Sequence, residues 1–257
     1  MTSILHGVVL ESRDFKEHDR FYTLYTRERG KVRAMGKGTR KFLSKLAAHL
    51  QPFAEVQVMV AHGRLWPKLA GVERGTDFVR IREDLSLFGL GLGLNELIVR
   101  AVEDGEPDPQ LYQFLLDAYD WIQTLPELSP RRLAFIHSAL TLKWLILIGF
   151  GPHTEACVRC RLPVGDIRHP FLSTARGGLV CATCVQHARA TFADAQPIDK
   201  EVLAALRFLA SAPFEALMTD RLNPLLDSLT EVQDLFVHYH IDRELRVPIF
   251  LQHLTSI

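Results

Sequence analysis

The first 80 residues alternate between apolar and polar side chains with a period near two. That period is typical of β-strands that bury one face. The predicted strands are Ile4–Glu11, Arg20–Thr26, Gly30–Met35, Phe53–Ala61 and Leu65–Val72. The last is weakened by Pro67, which cannot donate to a sheet. Between the third and fourth strands, Lys41–Leu50 has a helical apolar face. Five short strands with a helix after the third predict an OB-fold barrel.

From residue 81 onward the apolar residues recur at helical spacing. The predicted helices are Glu83–Val102, Pro109–Leu125, Arg131–Ile148, Asp199–Ala210, Pro213–Thr219 and Pro224–Leu245, the last closed by Pro248. Three glycines interrupt the first helix, and we interpret them as points of close packing. The most apolar stretch, Leu133–Phe150, contains two basic side chains and is too short to span a bilayer comfortably, so we predict a core helix.

The cysteines form two tight pairs that have the spacing of a metal site. Cys157 and Cys160 make one C-x2-C pair, and Cys181 and Cys184 make the other, twenty residues later. This spacing predicts a tetrahedral zinc site. Because four thiolates leave no open position for a substrate, the zinc would be structural. A four-thiolate iron–sulfur cluster is the main alternative. Two disulfides would need an oxidising compartment, and two matched pairs disfavour a redox dithiol.

Three histidines lie near the cysteines, and we expect them at the surface because the thiolates already fill the site. They are His153, His169 and His187. The loop between the two pairs should turn as a hairpin at Gly177 and Gly178.

These patterns together predict an α+β protein. An N-terminal OB-fold barrel would span residues 1–80, and a helical domain would follow in residues 81–153 and 188–257. The four-cysteine zinc finger, residues 154–187, would be an insertion into that helical domain.

Charge is balanced over the whole chain but concentrated locally. Thirty basic residues oppose thirty acidic ones, so any affinity for nucleic acid must come from a patch. Residues 27–45 carry eight basic side chains and a single acid, Glu28. A solvated loop would explain this run, but the concentration favours a nucleic-acid contact. The candidate DNA-binding residues are Arg33, Lys37, Gly38, Arg40, Lys41 and Lys45.

Aromatic residues near this run are candidate platforms for stacking bases, namely Phe21, Tyr22, Tyr25 and Phe42. The alternative, which we favour, places them in the barrel core, where aromatic side chains are common.

Several catalytic motifs are absent from the sequence. The segment Gly36–Thr39 lacks both the glycine spacing and the hydroxyl position of a P-loop. The sequence has no G-x-S-x-G and no H-E-x-x-H. His238 and His240 are two residues apart on a predicted helix and do not share a face, which disfavours a metal site there. We therefore expect no enzymatic activity. The N-terminus lacks the pattern of a signal peptide, so we expect a cytoplasmic protein with reduced cysteines and no membrane partner.

Short segments spread along the chain resemble one known family. They are Gly30–Arg33, Lys37–Lys41, Ser44–Leu46, Gly63–Leu65, Arg82–Leu85 and Leu145–Phe150, the last leading into the first cysteine pair. With the four cysteines, they make the chain similar to RecO, a family of bacterial recombination mediators that anneal DNA. Some members of the family lack the cysteines, so zinc is not obligatory for its activity.

The resemblance implies an OB-fold, a helical domain and a zinc finger. It also implies binding of single-stranded and double-stranded DNA, annealing of complementary strands, partnership with RecR, and help for RecA in loading on strands coated by the protein SSB. The DNA-binding segment carries over as Lys37, Gly38, Arg40 and Lys45. The family's pocket for the C-terminal tail of SSB cannot be assigned to particular residues of this sequence. Arg131 and Arg132 are candidates for it, with a solvated helix start as the favoured interpretation.

Two other functions stay open. The protein could be an adaptor that mainly contacts other proteins and has only secondary DNA affinity. It could also be a nuclease or another metalloenzyme whose carboxylates the sequence does not reveal.

Overall fold

The computed structural model describes residues 2–63 and 65–241. Its contacts divide the chain into two compact units, one ending at Leu128 and the other beginning at Ser129. The predicted domain boundaries after residues 80, 153 and 187 stay predictions. None of the helices in the described ranges has the length and apolarity needed to cross a membrane.

The N-terminal strands form a closed five-stranded barrel. The strands are β1 (Thr2–Phe15), β2 (Asp19–Thr26), β3 (Gly30–Gly36), β4 (Glu55–Ala61) and β5 (Lys68–Arg74). Their order around the barrel is β1-β2-β3-β5-β4, with β1 also paired to β4. All pairs are antiparallel except β3 with β5. This order, with α1 (Lys45–His49) after β3, confirms the predicted OB-fold.

The barrel interior is filled by the inward half of the alternating pattern. Its buried side chains are Leu5, Val9, Tyr22, Leu24, Ala34, Leu50, Ala54, Val56, Val58, Val60 and Leu69. The register between β1 and β2 shifts between Val9 and Glu11, as at a β-bulge. This irregularity lets the fourteen-residue β1 bend and pair with both β2 and β4. The fifth strand begins at Lys68 rather than at the predicted Leu65, because Pro67 precedes it.

Three helices complete the first unit, namely α2 (Val79–Glu83), α3 (Leu85–Ala101) and α4 (Pro109–Ile122). Asp84 and Asp108 cap α3 and α4, each accepting two backbone N–H bonds. The middle glycine of α3, Gly91, does mark close packing. A Cβ atom on Gly91 would lie 2.8 Å from a ring carbon of Phe53, which sits where the chain enters β4.

One buried polar group joins α3 to the barrel. The Asn95 side chain is almost fully buried, and its Nδ2 donates to the carbonyl oxygen of Leu10 in β1 at 2.7 Å. The hydroxyl of Tyr119 in α4 donates to Asn95 Oδ1. This bridge satisfies a carbonyl near the bulge of β1 that would otherwise be buried without a partner.

The second unit packs helices beside a small cysteine-bearing module. Its elements are α5 (Pro130–Leu147), a 3-10 turn (Val164–Asp166), β6 (Pro170–Ser173), β7 (Gly178–Cys181), α6 (Ala182–His187), β8 (Gln196–Pro197), α7 (Lys200–Ser211), two further 3-10 segments (Phe214–Met218 and Asp220–Leu225) and α8 (Leu226–His240). Helix α5 is the predicted core helix and packs against both α7 and α8. The predicted end of the last helix and Pro248 lie outside the described residues.

The bridge through Asn95 generates a stability prediction. Replacing Asn95 with Leu should lower the free energy of unfolding by about 2–3 kcal/mol, because the Leu10 carbonyl and the Tyr119 hydroxyl then lose their partner in a dry site. Urea denaturation measures this. As a matched control, Tyr119→Phe removes one bond but keeps the link to β1, so it should cost about 1 kcal/mol. Equal losses for the two variants would contradict this account.

Candidate metal centre and nucleic-acid interface

The four cysteines converge on one point in the second unit. The Sγ atoms of Cys157, Cys160, Cys181 and Cys184 all lie within 4.8 Å of one another. Cys160 Sγ and Cys181 Sγ are 3.7 Å apart. Four sulfurs around one Zn²⁺ at about 2.3 Å would be about 3.8 Å apart. The cluster therefore has the dimensions to hold a single metal ion.

Backbone hydrogen bonds bring the two cysteine pairs together. The N–H of Val158, beside Cys157, donates to the carbonyl of Leu179 in β7 at 2.8 Å, which ties the first pair to the strand that ends at Cys181. The strands β6 and β7 form the predicted hairpin, in which Gly177 has a left-handed backbone (φ 71°). Strand β7 thus delivers Cys181, and α6 delivers Cys184.

The thiols of the cluster have unequal acidities. Burial alone would raise the pKa of Cys157, but hydrogen bonds from backbone N–H groups, led by that of Cys160, outweigh it and lower this pKa to about 6. Burial raises the pKa of Cys184 to about 12 and also raises that of Cys181. The negative charge of a Cys157 thiolate adds to both increases. Four sulfurs this close can all ionise only beside a cation, which is the situation of a metal ligand set.

The histidines near the cluster are exposed, as predicted, and none of them joins it. All four cysteines are free thiols. A small core surrounds them, to which α7 contributes Leu203. A metal ion here would cross-link the two cysteine pairs and stabilise the hairpin between them.

The second candidate site is one end of the barrel, where three loops meet. The β1–β2 turn (residues 16–18) and the β3–α1 loop (residues 37–44) touch, because the N–H of Arg40 donates to the carbonyl of His18 at 3.0 Å. Residues 62–63 and 65–67, between β4 and β5, join them, because the N–H of Met35 near the end of β3 donates to the Pro67 carbonyl at 2.8 Å. We call this end, formed by residues 16–18, 37–45, 62–63 and 65–67, the loop end.

Three of the predicted DNA-binding lysines are free at the loop end. Lys37, Lys41 and Lys45 are exposed, and within the described ranges none of their side-chain ammonium groups has a hydrogen bond or an ion pair. Arg33 is also exposed and unpaired among those residues, but it lies on the outer face of β3, opposite Thr23 of β2.

Two other predicted residues hold the loop in shape. The N–H of Gly38, whose backbone is left-handed (φ 68°), donates to Asp19 Oδ1 at 2.7 Å and is therefore occupied. The guanidinium of Arg40 donates to the Lys16 carbonyl and lies 3.4 Å from Asp14. The pKa of the Asp14 carboxyl is lowered by the two arginines beside it, mainly by the hydrogen bond from Arg20 and further by the charge of Arg40.

The other basic residues of the run, which come before Arg33 in the sequence, lie away from the loop end. Arg27 and Arg29 lie in the β2–β3 turn, at the opposite end of β3 from the loop end and about 20 Å away along the strand. Lys31 is buried, and its Nζ donates to the Val99 carbonyl at 3.0 Å beside Asp104. The run in the sequence is therefore not one continuous surface, although its lysines from Lys37 onward are clustered.

The aromatic residues separate in the same way. Tyr22 fills the barrel core, so for this residue the favoured core interpretation is confirmed. Tyr25 is buried too, but it lies outside that core, and its hydroxyl accepts a hydrogen bond from the N–H of Asp108. Phe42 is fully exposed at the loop end. Phe21 points outward and packs against Phe15 and Trp66, two residues that sequence reasoning missed. The sequence did contain one signal that Trp66 lies in a loop, because it directly precedes Pro67 and therefore lies before the fifth strand.

Known proteins share this combination of barrel, helices and cysteine module. The family model described as Recombination protein O N terminal matches residues 1–74, and the model described as Recombination protein O C terminal matches residues 82–248. The chain belongs to the RecO family. Relatives named DNA repair protein RecO include one from Pelotomaculum thermopropionicum, 30% identical over 95% of this chain and 91% of the relative. Another, from Myxococcus xanthus, is 32% identical over 93% of each chain.

The two arginines considered for an acidic tail have partners inside this RecO-family chain. Arg131 donates to the carbonyl of Asn223 at 2.9 Å. Arg132 donates to the carbonyl of Thr219 at 2.7 Å and pairs with Asp220. Both side chains therefore hold the 3-10 segment before α8. Arg131 is exposed at the start of α5, as the favoured interpretation expects, whereas the side chain of Arg132 is only 11% exposed, so a solvated helix start is wrong for that residue.

The cysteine cluster predicts one metal ion per chain, bound through all four sulfurs. Changing Cys181 to Ser should abolish stoichiometric binding, because it removes a buried ligand at the centre of the cluster. Metal analysis of the purified protein measures the content and separates zinc from iron. His187→Ala, which alters an exposed neighbour, is the control and should keep the ion. Full metal content in Cys181→Ser would rule out this ligand set.

Proposed function

We propose that this RecO-family protein is a DNA repair and recombination mediator. It would bind single-stranded and double-stranded DNA, anneal complementary strands and, with RecR, help RecA load on single strands coated by SSB. The observation that carries the proposal is the group of free lysines Lys37, Lys41 and Lys45 at the loop end. Membership of the family and the names of its relatives support it.

The chemistry of phosphate binding explains why the free lysines matter. Since the whole chain is electrically neutral, DNA affinity depends on cations that no acid of the protein already neutralises. Two acids beside the loop, Asp14 and Asp19, bond to residues that shape it, whereas Glu17 in the β1–β2 turn stays exposed. Three phosphate contacts would release counterions from a single strand, so a fourfold rise in salt should weaken binding about 20-fold.

Annealing follows from the same neutralisation. Two complementary strands repel each other through their phosphates, and cationic side chains that neutralise one strand lower this repulsion. No catalytic group is required for that effect, and we propose that the protein is not an enzyme. The three lysines are on flexible stems and bind as point charges, which suits contact with phosphates of any sequence.

For the cysteine cluster we propose a structural Zn²⁺. Zinc prefers tetrahedral thiolate sites, and four protein ligands leave no position for a substrate. Bound zinc would hold the four thiolates and keep the β6–β7 hairpin folded. An iron–sulfur cluster is the alternative that metal analysis excludes or establishes.

The partners and the location are proposed from the family resemblance. RecR, the C-terminal tail of SSB and, indirectly, RecA are the expected protein partners. The free thiols support a reducing compartment, and we propose the cytoplasm.

The lysines at the loop end generate a charge-matched prediction. The double change Lys37→Ala and Lys41→Ala should weaken binding to single-stranded DNA. It should also make the slope of log affinity against log salt concentration shallower by the amount expected for the loss of about two phosphate contacts. The pair Arg27→Ala and Arg29→Ala, at the opposite end of β3, removes the same charge and should have a much smaller effect. Fluorescence anisotropy with a labelled oligonucleotide at several salt concentrations measures both.

The same variants separate this proposal from an adaptor function. Annealing of complementary oligonucleotides coated by SSB should fall with the lysine pair and stay near wild type with the arginine pair. Full annealing activity in the lysine variant would instead favour an adaptor. Strand scission in the presence of magnesium would indicate a nuclease.

A further inference from the structure

An aromatic cluster lies on the outside of the barrel, next to the loop end. The ring centroids of Phe15 and Phe21 are 4.7 Å apart, and those of Phe21 and Trp66 are 5.4 Å apart at an interplanar angle of 74°. None of the three belongs to the buried cluster inside the barrel. Trp66 keeps 47% of its surface exposed, which is unusual for the largest apolar side chain.

The backbone holds Trp66 in this place. The following residue, Pro67, accepts a hydrogen bond from Met35 of β3. On the other side, a Cβ atom on Gly63 would lie 2.2 Å from the Trp66 carbonyl oxygen, so the turn requires glycine there. The Trp66 ring is thus supported by Phe21 and by the loop backbone, and it presents the rest of its surface to solvent.

Cations surround the cluster. Lys16 Nζ lies 5.4 Å from the centroid of the Phe15 ring, and exposed Lys68 begins the next strand. Phe42, which is fully exposed, follows Lys41 in the adjoining loop. Aromatic rings mixed with free cations are the combination by which single-stranded nucleic acids are held, since every base has a face that can stack.

We propose that Trp66, supported by Phe21 and Phe15, is a stacking platform for unpaired bases, with Phe42 as a second ring in the neighbouring loop. The inference rests on the proposed function and refines it, because it makes nucleic acid with exposed bases the preferred ligand over a duplex. In a duplex the base faces are occupied by their neighbours. Stacking also leaves the pairing edge of a base free, so a strand held in this way can still meet its complement.

Exposed aromatic and apolar side chains beside lysines would also suit an anionic membrane or a protein partner. The structure favours nucleic acid because the exposed rings occur in the two loops of the barrel end that carries the free lysines. The other two occupants are outcomes of the experiment.

Intrinsic fluorescence can report on Trp66 directly. The other two tryptophans, Trp121 and Trp144, are buried, with 7% and 0% exposure. Titration with an oligothymidylate of about 16 nucleotides, the most that one OB barrel covers, should quench the fluorescence of the full-length protein. An abasic oligomer of equal length should bind more weakly and should not quench. A blunt duplex should quench less than the oligothymidylate.

Variants distinguish the contribution of the Trp66 ring to binding from that of the surrounding loop. Trp66→Leu should weaken binding of oligothymidylate about tenfold and leave affinity for the abasic oligomer unchanged, because only base stacking is lost. Trp66→Phe should restore binding to within about twofold. Leu65→Ala, the exposed neighbour in the same loop, is the matched control and should behave as wild type. Circular dichroism confirms that each variant is folded.

The outcomes also separate this inference from the proposed function. Salt-dependent binding with no quenching, and with equal affinity for the abasic oligomer, would overturn the stacking platform and leave the lysine contacts intact. Binding of neither oligomer would overturn both. Quenching by phosphatidylglycerol vesicles or by SSB, but not by oligothymidylate, would show that Trp66 serves a membrane or a protein instead.

Discussion

Barrel closure through β1 is the constraint on which the rest of the first unit depends. This one strand pairs with β4 over Thr2–Val8 and with β2 over Gly7–Phe15, and its bulge lets it bend between the two partners. Once the barrel is closed, alternate side chains must point inward or outward. Tyr22 then enters the core while Phe21, the residue before it, points outward toward Phe15 and Trp66. The same closure brings three loops to one end of the barrel.

Electrostatics at the loop end follow from how the acids are used. Asp14 pairs with Arg20 and lies beside Arg40, and Asp19 accepts from the N–H of Gly38. These contacts shape the loop and engage both carboxylates, whereas Glu17 in the β1–β2 turn stays exposed. The lysines on the loop have no such partners in the described part of the chain, so an electrically neutral protein presents a positive surface at one place. Surface ion pairs contribute little stability, and their importance here is geometric.

The cysteine module has to be stabilised without a large hydrophobic core. Its strands have four residues or fewer, and its core is small. A segment of this size buries little apolar surface, so a cross-link through four sulfurs is an effective way to stabilise it. The hydrogen bond between Val158 and Leu179 already aligns the two cysteine pairs, which lowers the ordering cost of binding an ion.

By itself, the sequence determined the local features of the protein. Alternating side chains specified the five strands, two C-x2-C pairs specified the four-cysteine cluster, and the glycine and capping residues marked turns and helix ends, because these signals act between residues close in the chain. Only the tertiary structure decided which members of the basic run are free. Lys31 is buried and Arg40 is engaged, whereas Lys37 and Lys41 stay exposed. It also placed Trp66 against Phe21, 45 positions earlier in the chain. Such contacts depend on the register and closure of the barrel, which bring together residues that no local pattern connects.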